Sequence, residues 1–237
     1  CPLNSYCSGK AILYMITVYT VFYLVSFYWL EQRDINQFHL IHTPLDDVIP
    51  FLPIFIIPYL LWFGYIAAVV AYFALFNKNV KEYWQLMATL GVGMTVFLII
   101  SWLYPNMQQL RPVLDGTNGF WTGLVANLYA VDTNTNIFPS IHVFNSIAVC
   151  IAIFECKTLK NHKGIKTGCF VLSVLIVLST MFLKQHSLVD VICAMLLNGL
   201  CYILFNTSFL LKRYMRLKEY LQNRREVQAS DDIKRML

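Results

Sequence analysis

The sequence predicts an all-α integral membrane protein: six transmembrane helices, with a short interfacial helix between spans three and four. Three observations predict it. Charged residues make up 13% of the 237 positions and hydrophobic ones 58%, whereas an average soluble domain carries about 25% charge. The mean hydropathy is +0.57. Long runs without a single charge recur along the chain, and several suffice to cross a hydrocarbon core of about 30 Å at about 1.5 Å per residue. Soluble, disordered and fibrous classes are excluded. Length alone would suggest one or two domains; the runs make it one membrane domain over 1–237, with 212–237 as a basic tail.

The charge-free runs are 11–30, 48–77, 83–110, 133–154, 167–183 and 191–211. The second and third have room for tilt, and the fifth is short for a span. Residues 116–131 are too few, and too interrupted by Gly, Asn and Thr, to cross; they read as an interfacial or re-entrant helix. Six spans place the N-terminus, the loops near 77–82 and 155–166 and the tail on one side. Only Arg33, Arg111 and Lys184 fall on the other, so one side holds 15 of the 18 Lys and Arg. The positive-inside rule then puts both termini in the cytoplasm. The net charge of +5 therefore reflects topology, with no nucleic acid as partner. The start of the tail reads either as a basic helix on anionic lipid or as a solvated segment.

Of seven cysteines, Cys150, Cys156, Cys169, Cys193 and Cys201 lie in or beside apolar runs and read as small packing residues. Cys1 and Cys7 are a weak candidate pair. A first residue other than Met reads as trimming or processing. Asn206-Thr207-Ser208 is formally a glycosylation sequon, but it falls inside the last span. Trp29, Trp84, Trp102 and Trp121 lie near span ends, as an interfacial aromatic belt requires.

Three polar segments collect in the basic-poor layer: Gln108 to Pro112, Asn136 to His142, and Lys184 to Asp190. Span three ends there while spans four and six begin there, so parity alone brings the segments to one face. Both histidine segments read as helix starts. Ser140 follows Pro139, and Ser187 opens a Ser-x-x-Asp capping pattern ending at Asp190. Two helix N-termini beside Arg111 and Lys184 predict a phosphate pocket, with Arg111 binding oxygens bidentately and Lys184 as a point charge. His186 and Asp190 are four residues apart and share a helix face. The carboxylate can fix the imidazole tautomer and leave the other nitrogen to attack phosphorus, while His142 protonates the leaving alkoxide. Taken singly, each has a plainer reading: an interfacial histidine, a helix cap, a snorkelling cation. Their convergence on one face favours the catalytic one. His39-x-x-His42 with Asp46 and Asp47 is a minor candidate for a metal.

These residues resemble the type-2 phosphatidic acid phosphatases, integral-membrane relatives of the vanadium haloperoxidases. Arg111-Pro112, Pro139-Ser140-x-His142 and His186-x-x-x-Asp190 match the family pattern in order and spacing, over about Arg111 to Asp190. The resemblance implies that His186 is a nucleophile forming a phosphohistidine, that Asp190 orients it and that His142 is the general acid. It further implies that Arg111 and the Ser140 region hold phosphate, that no metal or other cofactor takes part, and that the substrate is a membrane lipid phosphate. Tyr104 and Thr180 stand where the family has a Lys and an Arg. Inositol phosphorylceramide and sphingomyelin synthases also lack that Arg, and the Pro44 to Pro53 stretch loosely resembles one of theirs. A phosphatase is therefore the first expectation and a lipid phosphotransferase the alternative. A non-catalytic lipid or anion binder or transporter comes third, and a haem protein using His142 and His186 is a minor fourth.

Overall fold

The computed structural model describes residues 9–114 and 119–206, with Tyr220 and Arg224 beyond them. The readings of Cys1 and Cys7, of the tail apart from those two residues, and of Thr207 and Ser208 lie outside the described residues.

In chain order the elements are α1 (Gly9–Glu31), β1 (His39–Leu40), α2 (Pro44–Val48), a 3-10 turn (Pro53–Phe55), α3 (Ile56–Leu75), α4 (Val80–Leu103), β2 (Asn106–Met107), α5 (Phe120–Val131), α6 (Ile141–Glu155), α7 (Lys163–Phe182) and α8 (Leu188–Asn206). Among the described residues, four segments are long and apolar enough to cross a membrane: Pro53–Leu75, Val80–Leu103, Lys163–Phe182 and Leu188–Asn206. The expected six are thus met by four on length and composition. Of the other two, α1 is a continuous helix of 23 residues. The fourth run opens as irregular chain, because Pro139 supplies no N–H and Asn134 and Asn136 donate to the Gln108 carbonyl and to Glu31 instead of entering a helix. That leaves α6 with 15 residues, a length of about 22 Å. A short apolar helix does stand between α4 and α6, as expected there: α5, with 12 residues. The fifth run, short in the sequence, gains a turn because α7 starts at Lys163, ahead of its charge-free stretch.

Prolines 44, 50 and 53 break the segment before α3 into α2 and a 3-10 turn, leaving residues 43–52 as a strap across the end of the bundle. There β1 pairs in parallel with β2, His39 opposite Asn106, and Met107 bridges Thr135. The loops leaving α1 and α4 and the chain approaching α6 are stitched together at this one end. Leu52 N–H donates to the Phe182 carbonyl at 3.0 Å, which joins the strap to the end of α7.

The main core packs Phe73 of α3, Leu86 and Leu90 of α4, Phe144 and Val149 of α6, Ile176 of α7 and Ala194 of α8. A smaller cluster of Tyr23, Leu30, Phe97 and Leu98 holds α1 to α4. Cys150, Cys156, Cys169, Cys193 and Cys201 are free thiols, as their apolar setting predicts. Helices α4 and α6 approach so closely that a Cβ on Gly93 would lie 2.0 Å from Phe144 Cε1. Gly93→Ala is therefore expected to destabilise. The overlap costs about 1–3 kcal/mol and exceeds the helix-propensity gain of about 1 kcal/mol. Thermal unfolding in detergent reads the difference, and an unchanged midpoint refutes it.

Candidate functional site

The site is built where α7 hands over to α8. The chain turns through Lys184, whose φ of 53° is left-handed and costs a non-glycine residue some strain. The turn is over-determined. Gln185 N–H and His186 N–H both donate to the Thr180 carbonyl, at 2.9 and 3.1 Å. Tyr129 Oη donates to the Leu183 carbonyl at 2.6 Å and Gln108 Nε2 to the Lys184 carbonyl at 2.8 Å. His186, on this turn, is 8% exposed. Its Nδ1 lies 3.3 Å from Oδ2 of the fully buried Asp190, so Nε2 is the nitrogen left for chemistry. Oδ2 also accepts the Ser187 N–H at 2.9 Å. The Ser-x-x-Asp pattern thus caps α8 and orients the imidazole through one oxygen.

The His142 ring, in the first turn of α6, lies 5.7 Å from that of His186 between centroids. Tyr59 and Trp62 of α3 hold it from the side, at 4.7 and 4.3 Å. Ser140 is the N-cap of α6, its Oγ accepting from Val143 N–H at 3.4 Å. Ser140 N–H donates to the Asp190 carbonyl at 3.4 Å, which ties the starts of α6 and α8. His142, Ser140, His186 and Asp190 therefore converge, as parity predicts.

The two cations are placed differently from expectation. Arg111 Nη1 donates to the carbonyls of Asp132 at 2.8 Å and Tyr129 at 3.4 Å, and Nη2 to that of Thr133 at 2.7 Å. Nη2 also donates to Gln185 Oε1, and the guanidinium lies 4.5 Å from the Tyr129 ring centroid. Burial pulls its pKa below the ordinary value, while Asp132, Tyr129 and Tyr59 pull it back. Bidentate binding through both η nitrogens is thus spent on the protein. Arg111 Nε and Gln185 Nε2 remain as buried donors without a partner. Lys184 Nζ donates to the carbonyls of Asp46 at 2.6 Å and Ile49 at 2.5 Å. It clamps the strap at the C-terminal end of α2, where a cation is favoured.

The α8 N-terminus is also occupied from within. Leu188 N–H goes to Asp46 Oδ1 at 2.8 Å, Ser187 N–H to Asp190, and Val189 N–H to Ser187 Oγ at 3.3 Å. Of the two helix starts expected to hold phosphate, that of α8 thus has these N–H groups bonded inside the protein.

At the two cation positions the resemblance lacks, Tyr104 caps α4 and stacks on His39 at 4.0 Å, while Thr180 is buried with Oγ1 on the Val177 carbonyl. His42 Nε2 meets Asp47 Oδ1 at 3.0 Å in an exposed pair, and Asp46 turns away from both. The minor metal candidate is thereby dispersed, and no group of three or more His, Cys, Asp or Glu able to hold a metal occurs among the described residues.

Asp46 carries a role that spacing does not reveal. Burial raises its carboxyl, but hydrogen bonds from Ser187, Leu188 and Thr43 outweigh burial and hold it below the ordinary carboxylate value. A lowered folded-state value stabilises in full above the unfolded value, and the contribution is lost as pH falls through the lowered one. Amide protection in the strap, with the intrinsic pH dependence of exchange divided out, is therefore expected to stay level from neutral pH down to about 5 and to fall below about 4. Protection lost from near neutral pH downward contradicts this.

Residues 83–214 match the family described as the PAP2 superfamily, which is more than half of the 237-residue chain. No curated protein and no solved structure matches the chain significantly.

Proposed function

The chain belongs to the PAP2 superfamily, and from that premise we propose that it is an integral-membrane lipid phosphate phosphatase acting through a phosphohistidine. The observation that carries the reading is the buried His186–Asp190 pair at 3.3 Å with the His142 ring 5.7 Å away. His186 Nε2 attacks phosphorus, and the phosphorus–oxygen bond to the lipid breaks. Protonated His142 gives its proton to the departing alkoxide. Neutral His142 then takes a proton from water, whose oxygen attacks phosphorus. The phosphorus–nitrogen bond breaks and inorganic phosphate leaves. Asp190 stabilises the positive ring that exists while nitrogen holds phosphorus. Arg111 Nε, Gln185 Nε2 and the α6 start capped by Ser140 bind phosphate oxygens. Lys184 serves by holding the turn against the strap. Two histidines and a carboxylate supply acid, base and nucleophile, so chelator is expected to leave activity unchanged.

The four segments long and apolar enough to cross a membrane and the uneven split of Lys and Arg along the sequence support six spans, cytoplasmic termini and an extracytoplasmic site. A second reading, transfer to an alcohol, is favoured by the scarcity of free cations. Tyr104 and Thr180 replace two, and Lys184 with the η nitrogens of Arg111 is spent on carbonyls. One experiment separates the readings. Purified protein meets a panel of lipid phosphates, with and without diacylglycerol, ceramide or inositol acceptors and phosphodiester donors, and phosphate and lipid products are followed together. Phosphate release without acceptor that is lost in His186→Ala supports the phosphatase. A new phospholipid only with acceptor makes it a transferase. Headgroup binding that survives His186→Ala, with no turnover, leaves a binder.

A further inference from the structure

We propose that Asp46 is a positioning residue for His186, acting from the strap through Ser187 and Asp190; the inference rests on the reading of His186 as nucleophile. The chain of contacts is continuous. Asp46 Oδ2 accepts from Ser187 Oγ at 2.6 Å, and Oδ1 accepts from Leu188 N–H at 2.8 Å. Ser187 N–H donates to Asp190 Oδ2 at 2.9 Å, the oxygen that also meets His186 Nδ1 at 3.3 Å. Asp46, Ser187 and Asp190 are 1%, 0% and 0% exposed, so water competes for none of these bonds and each is charge-assisted.

The geometry also shows why a residue 141 positions away is recruited. Asp190 has to serve Ser187 N–H and His186 with a single oxygen, because its Oδ1 is buried without a partner. Where that oxygen sits depends on where Ser187 sits, and Asp46 holds Ser187 by its hydroxyl and by the next N–H. Asp46 is itself held. Thr43 N–H and Thr43 Oγ1 donate to Oδ2 at 2.7 and 3.0 Å, and Lys184 Nζ grips the Asp46 carbonyl. Residues 184–188, with the nucleophile in their middle, are thus clasped on both sides by one short strap. Asp46 bonds neither imidazole, so it reaches His186 through Ser187 and Asp190.

The test compares Asp46→Asn, Ser187→Ala and the double variant with the unmodified protein. Asparagine keeps the size but cannot accept from both Ser187 and Leu188 with two oxygens. Alanine removes the hydroxyl and leaves the Ser187 N–H to Asp190. Each single change is expected to lower kcat roughly 10- to 100-fold, the cost of misplacing a reacting group by about 1 Å, with KM within about twofold, measured well below the melting midpoint, which falls with the lost buried bonds. The double variant is expected to be no worse than the poorer single one, because both cut the same chain. The rate of His186 carbethoxylation by diethyl pyrocarbonate, followed by peptide mass spectrometry, is expected to fall in parallel. That readout needs no substrate, so it judges Asp46 even where the unmodified protein turns nothing over. Silence of the unmodified protein toward every lipid overturns the phosphatase reading. Unchanged carbethoxylation and kcat in Asp46→Asn, or additive effects in the double variant, overturn the role of Asp46.

Discussion

His186→Ala is expected to lower phosphate release from a lipid phosphate by at least roughly 10³-fold, because it removes the atom that forms the covalent bond. The informative comparison is with His142→Ala. A lipid alkoxide is a poor leaving group and needs a proton as it departs, whereas an acidic phenol needs none. His142→Ala is therefore expected to lose lipid turnover while keeping an initial burst of phenol from an aryl phosphate, one equivalent per protein. His186→Ala loses both. The phosphorus retained by His142→Ala is expected on a histidine, labile to acid and stable to base, in the peptide containing His186. A burst that persists in His186→Ala, or phosphorus on another residue, rejects His186 as nucleophile. Because Tyr59 and Trp62 wall His142 from the side, its truncation opens a space next to His186, and added imidazole is a reasonable rescue to attempt.

Much of this site is legible in the sequence, for two physical reasons. Helix periodicity puts positions 186 and 190 on one face, and span parity brings loops distant in the chain to one membrane face. Neither needs tertiary detail, so His142, Ser140, His186 and Asp190 converge as expected. What is not legible is where the long cations point. Arg111 and Lys184 bond backbone carbonyls, and every residue has a carbonyl, so no residue type marks such an acceptor. The same holds for Asp46. Its partners are a hydroxyl and an N–H on another helix, and beside His39, His42 and Asp47 it reads as part of an outer loop or, less readily, as a metal ligand. The prolines at 44, 50 and 53 are the signal in the sequence. They interrupt the approach to, and the start of, the run 48–77, so that stretch has to fold against something before the helix begins. Helix boundaries slipped for a related reason: polar residues in 133–140 carry no charge, so a charge-free run hides an irregular loop that bonds within itself and to Glu31.

Asp190→Asn is expected to cost nearly as much as losing the nucleophile's orientation outright, roughly 10²- to 10⁴-fold in kcat, while leaving the fold intact. The side chain has almost the same shape, and an amide oxygen turned toward Ser187 N–H and His186 Nδ1 can keep both contacts. What disappears is the charge. When Nε2 bonds phosphorus the imidazole becomes positive, and at a site where Asp190 is fully buried a carboxylate 3.3 Å from Nδ1 is the counterion that makes that state accessible. Turned the other way, the amide offers N–H groups to two donors and drives Ser187 and His186 apart. Both orientations slow the step that makes the phosphohistidine, and neither removes a phosphate-binding group. The effect should therefore fall on kcat and on the size of the burst from an aryl phosphate, with KM changed far less. Arg111→Ala is expected to do the opposite in part. It removes the Nε donor together with the braces on Asp132, Thr133 and Gln185, so KM rises along with the loss of kcat. If Asp190→Asn instead raises KM and spares the burst, the carboxylate is a helix cap alone, and the charge that stabilises the phosphorylated ring has to come from elsewhere.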